Sequence, residues 1–163
     1  MPPMTVLGWF HTVVGAAAIL MAIHSLYHHK VLSAATASGR AYLLMTLFVA
    51  GSALMIYNQG GLGPGHILAV LTLLALSTGY FFERKPVIGG LSKYVQTAAY
   101  TATLLFHMIP AITDFLRRLP VGDPFIDSFD SPLLRGFYAA FLLAFVIGLG
   151  VQFLWLRKRT NPS

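Results

Sequence analysis

Residues 93 to 118 read KYVQTAAYTATLLFHMIPAITDFLRR, a run apolar enough to cross a bilayer that nevertheless carries a ladder of polar side chains. Gln96, Tyr100, Thr103, His107, Pro110, Asp114 and Arg118 follow one another at steps of four and three, alternating as far as Asp114. At about 100° per residue they share one face of a helix. The opposite face, Ala98, Ala102, Leu105, Ile109, Ile112 and Leu116, suits lipid or apolar neighbours, so the ladder should turn towards other protein. His107 should then be buried against the first helix.

The whole chain has the same character. Of its 163 residues, 56% are hydrophobic and 10% charged, and the mean hydropathy is +0.72, outside the balance of a soluble domain. A span needs roughly 20 apolar residues. Five stretches reach or approach that length, near 5–27, 41–57, 65–82, 94–116 and 133–156. The expected architecture is therefore all-α, a single integral membrane bundle of five transmembrane helices without a soluble domain. The second stretch is the shortest.

A net charge of +6 would suggest nucleic acid in a soluble protein, but here Lys and Arg collect at the ends of spans. Lys30 and Arg40, then Arg84, Lys85 and Lys93, then Arg157, Lys158 and Arg159 make eight of the eleven basic residues. Short loops rich in Lys and Arg stay inside, so the N-terminus is expected outside and the C-terminus inside. The location this implies is a bacterial inner membrane. No Lys or Arg precedes the first span, so it reads as a retained helix and not a signal peptide.

There is no cysteine, hence no disulfide framework, thiolate metal site or iron–sulfur cluster. No Ser/His/Asp set or dinucleotide fingerprint is present, and a stand-alone enzyme is not expected. The Gly-rich connection at 58–65 lacks the Lys and Ser/Thr of a P-loop and reads as a turn, with Pro64 opening the third helix. Ser77 and Tyr80 continue the His66 face of that helix. Ser131 before Pro132 reads as the start of the fifth, in which Ala140, Ala144 and Gly148 offer a small-residue packing edge. The acidic connection before it lacks EF-hand spacing.

The topology brings three histidines to the outer leaflet. His11 lies two turns into the first span, His66 opens the third, and His107 is in the outer half of the fourth. A buried imidazole is costly unless paired, so each is a candidate site residue. A b-type haem would need one or two of them on facing helices, small residues to admit the porphyrin, and cations for its propionates. His11 and His107 match in depth, Gly8 and Gly15 would leave room, and Arg117 or Arg118 would meet the propionates. Such a protein would move electrons between the quinone pool and an envelope partner. The rival is a copper or zinc ion on His11, His66 and His107, with Met108 or Asp114 near. Asp114 is two turns from His107, roughly 10 Å along the axis, and suits a pair with Arg118 better.

A cofactor-free scaffold, assembly factor or transporter-like protein is the third reading. In it the strip Gly8, His11, Gly15, Ala18, Ala22, Ser25 and His29 only lets helices pack closely. His24 and His28, one turn apart on another face, either share a metal or reach to the inner boundary. His29 lies 18 residues from His11, about 27 Å, at the membrane edge, so no second haem is expected.

The runs His107-Met108-Ile109-Pro110 and Arg117-Arg118-Leu119-Pro120, the acidic loop and the ending Gln152-Phe153-Leu154-Trp155-Leu156-Arg157 together resemble small multi-span bacterial inner-membrane proteins. The resemblance covers the C-terminal part of the chain and, more loosely, the rest. It implies an envelope location and carries no activity or ligand with it.

Overall fold

A computed structural model describes residues 5–57 and 61–160. Five α-helices follow one another: α1 (Val6–His29), α2 (Ala37–Ala53), α3 (Pro64–Arg84), α4 (Ser92–Arg118) and α5 (Pro132–Thr160), with a short 3-10 turn at Gly89–Leu91 before α4. Asn58, Gln59 and Gly60 of the Gly-rich connection lie outside the described residues.

Local chemistry sets the helix starts. Thr5 and Thr36 accept hydrogen bonds from Gly8 N and Gly39 N and so cap α1 and α2. Pro64 and Pro132 are the first residues of α3 and α5, where a missing N–H costs nothing. The carbonyl of Ser131 accepts from Arg135 N, as expected of the residue that opens α5.

Four helices, α1, α3, α4 and α5, are long and apolar enough to cross a membrane. The expected fifth span is the exception. α2 has 17 residues and covers Ala37–Ala53, not 41–57, because the Thr36 cap draws the polar Ser38, Gly39 and Arg40 into its first turn. At 1.5 Å per residue it is about 26 Å long, at the short end of the range for a span.

α1 packs along α2, α2 on α3, and α3 along α4, which returns to touch α1. α5 is laid on the outside of α4. The small-residue strip of α1 serves this packing: Ala18, Ala22 and Ser25 are fully buried, and a Cβ at Gly15 would meet Val49 of α2 at 3.9 Å. The core beside it joins Ala18, Ala22, Leu32, Tyr42, Leu43 and Tyr100. A second apolar cluster, Leu116, Ile126 and Leu134, seats the acidic connection against α4 and α5.

Two expected faces are corrected. Ser77 and Tyr80 are exposed, and α3 buries Ala69, Thr72 and Gly79 instead. On α5, Ala140 and Ala144 are exposed; the helix seats on α4 through Leu134, Tyr138 and Gln152. Hydrogen bonds decide that orientation, since Thr113 and Tyr138 hydroxyls stand 2.6 Å apart and Thr101 donates to Gln152 Oε1 at 2.9 Å.

The α1–α2 turn leaves no room at Gly39, where an added Cβ would stand 2.1 Å from the backbone oxygen of Ser33. Backbone cannot step aside as a side chain can. Gly39→Ala should therefore destabilise the protein by about 1–3 kcal/mol, the range for overpacking. Gly51, on the same helix with nothing within 4 Å of such a Cβ, should accept alanine with a gain of about 0.5–1 kcal/mol from helix propensity. Thermal unfolding of the two variants in one detergent checks the pair.

Candidate functional site

The ladder of α4 turns inward over its middle and not at its outer end. Tyr100, Thr103 and His107 are buried, Gln96 and Pro110 partly so, and Asp114 has a side chain 53% exposed. Asp114 instead meets Arg118 at 3.8 Å, one turn on. The helix also buries polar groups that its apolar face was not expected to hold: Thr97, Thr101 and Thr113. It sits at the centre of the bundle with neighbours on both sides, so neither face is left wholly to lipid.

His107 is buried, and it finds its hydrogen bond on α2. Its Nε2 lies 3.1 Å from Thr46 Oγ1, and its ring is tilted against Tyr42, with centroids 6.1 Å apart. Tyr42 and Thr46 are one turn apart and fully buried, and Tyr42 OH lies 2.6 Å from Thr103 Oγ1. The Thr103 hydroxyl donates onward to the Tyr100 carbonyl at 2.7 Å.

His11 stands beyond His107 at one end of this line. Its Nδ1 lies 3.1 Å from Val49 O and 3.0 Å from Ser52 Oγ, both on α2. It is within electrostatic reach of His107 on one side and Asp114 on the other. His11 and His107 thus stand near each other, each hydrogen-bonded to α2.

Glu83 closes the opposite end, beside Tyr100. Its Oε2 accepts from Tyr100 OH at 2.8 Å, and its Oε1 accepts from Ser33 Oγ at 2.5 Å and Ala34 N at 2.9 Å. One carboxylate thus ties the end of α3 to α4 and to the α1–α2 turn. The Tyr100 ring is pressed flat against α3, where a Cβ on Gly79 would fall 2.4 Å from it.

The remaining candidates are engaged elsewhere. His66 Nδ1 accepts from Gly63 N at 3.1 Å and closes the first turn of α3; its ring packs on Tyr57, and its buried Nε2 has no partner among the described residues. Arg117 stacks over Phe129 at 3.9 Å, and the buried Arg118 Nε has only the Asp114 carboxylate near it. Met108 is half-buried. Gly8 N donates to Thr5 as part of the α1 cap. Among the described residues no group of three or more His, Cys, Asp or Glu is gathered as a metal site, so His11, His66 and His107 do not form a facial set.

Tyr42, Thr46 and Ser52 went unread in the sequence because each is a weakly polar residue in an apolar run. The available signal was the one-turn spacing of Tyr42 and Thr46. Glu83 is a lone carboxylate among the cations Arg84 and Lys85 at a helix end, which is itself a signal. No family model, curated protein or solved structure matches the chain.

Proposed function

We propose that the chain is a cofactor-free, transporter-like protein of a bacterial inner membrane whose α2–α4 seam passes protons. The observation that carries this reading is the run of buried hydrogen-bonding groups His107, Thr46, Tyr42 and Thr103, bonded from His107 to Thr46 and from Tyr42 to Thr103. His11 and Asp114 stand at its outer end, and Tyr100 with Glu83 at its inner end. Hydroxyls and imidazoles both donate and accept, so each can receive a proton on one side and release one on the other. Polar and ionisable groups are costly inside a membrane, and a run of them across most of its depth is the usual mark of a proton relay.

The line is interrupted at Thr103. Thr103 now donates to the Tyr100 carbonyl and not to the Tyr100 hydroxyl that meets Glu83. An unbroken wire would dissipate the proton gradient continuously, whereas one gap makes transfer conditional on a turn of the Thr103 hydroxyl or entry of a water. This interruption is the gate in the proposal.

A haem or other shared occupant of His11 and His107 is the second reading, favoured by their closeness. It requires His107 to release Thr46 and Arg117 to leave Phe129. Electron transfer with quinone or an envelope partner belongs to this reading alone. An absorption spectrum of the purified protein separates the two: a Soret band lost in His107→Ala supports haem. Under the relay reading the protein is colourless and, in proteoliposomes under an imposed membrane potential, carries protons faster than protein-free vesicles.

The orientation belongs to the proposal as well. With the N-terminus outside, the eight basic residues at the first and third connections and the tail lie on the cytoplasmic side, and so does Glu83. A reporter fused after Ser163 should be active only in the cytoplasm. Activity outside it would reverse the direction assigned to the relay.

A further inference from the structure

The last turn and a half of α1 holds His24, Tyr27, His28 and His29, none of which the relay uses. His24 and His28 are both exposed, and their rings stand with centroids 4.4 Å apart, tilted by 47°. Neither ring has a hydrogen-bond partner among the described residues, in contrast to His11, His66 and His107. We propose that His24 and His28 chelate one divalent transition-metal ion of the imidazole-preferring kind, Cu²⁺ or Zn²⁺, at the inner boundary of the first helix.

The geometry meets what such an ion requires. Metal–imidazole bonds are about 2.0 Å long, so two nitrogens sharing an ion stand about 3 Å apart. Residues at i and i+4 lie over one another on a helix, and rings already this close reach that separation by side-chain rotation alone. His29 is off this line, its ring 6.4 Å from that of His28 and on the next residue of the helix. The charged group nearest in sequence is Lys30, whose Nζ is drawn away to the Tyr27 carbonyl at 2.8 Å and over the Tyr27 ring.

Two protein ligands leave the other positions to water. Closed structural sites use four protein ligands, and catalytic ones three. A two-histidine site on an exposed helix face therefore exchanges its ion readily, as befits acquisition or sensing more than stable structure. The inference is independent of the relay.

Cu²⁺ is the suitable probe, standing at the top of the divalent affinity order and reporting its ligands by electron paramagnetic resonance. The full chain, carrying no polyhistidine tag, is titrated with Cu²⁺ in a non-ionic detergent. The wild type should bind one ion with a spectrum split by two imidazole nitrogens. His24→Ala and His28→Ala should each lose that spectrum, while His29→Ala keeps it, all three retaining the wild-type circular dichroism because the side chains are exposed. Equal binding by the His24 and His28 variants, or loss in His29→Ala as well, would overturn the assignment.

Discussion

Glu83→Leu should be the most destabilising single change in the inner half of the molecule. The carboxylate accepts from Tyr100 OH, Ser33 Oγ and Ala34 N, and leucine accepts from none of them. A buried donor left without a partner costs about 1–3 kcal/mol, and here three donors on two other segments are orphaned together. The Ser33 and Ala34 groups are near the boundary, where water can take over in part. The Tyr100 hydroxyl has no such recourse, because its ring is held against Gly79 and cannot swing out. A loss of about 3 kcal/mol or more is expected, read as a lowered unfolding midpoint in detergent and as early proteolysis in the α1–α2 turn. Glu83→Gln should cost less, since one carbonyl oxygen still accepts from Tyr100 or from Ser33. If Glu83→Leu unfolds with the wild type, the carboxylate is not the tie described above.

That tie could not be read from the sequence, because it joins residues 50 positions apart through a turn whose shape is set by Thr36 and Gly39. Helix existence is a local property, and it was legible. Apolar runs flanked by Lys and Arg gave all five helices, and Pro64 and Pro132 marked the starts of two. α2 has the expected length but starts four residues earlier than the apolar stretch, since a hydropathy window follows side-chain transfer energies and does not weigh a single capping threonine.

The candidate site was legible in halves. The spacing of Tyr100, Thr103 and His107 announced one buried polar face, and His11 does lie near His107. The choice of α2 as partner was not legible. Thr46 and Tyr42 differ little in polarity from the residues around them, and only their contacts across to α4 show what they do. His66 was drawn into the cluster by depth alone, whereas the short Gly63–His66 turn gives its ring a local hydrogen bond. The fifth helix was likewise read by its small residues, while Gln152, bonded to Thr101 and to the Lys30 carbonyl, fixes its seat.

Thr103→Val should abolish proton transfer and leave the fold in place. Valine has the shape of threonine without the hydroxyl that accepts from Tyr42 and faces the gap before Tyr100. The cost in stability is expected to be about 1–3 kcal/mol for an unpaired buried group, within what the bundle tolerates. Thr101→Val removes an equally buried hydroxyl from the same helix, but that one donates to Gln152 on α5 and has no part in the line. The two variants share helix, chemistry and burial, and they differ in which neighbour they face. Proton flux into proteoliposomes under an imposed membrane potential, measured side by side, is the most direct test of the relay. Flux at the level of protein-free vesicles for Thr103→Val, with Thr101→Val close to wild type, is the expected result; equal flux through both variants, or none above vesicle background for the wild type, would contradict it.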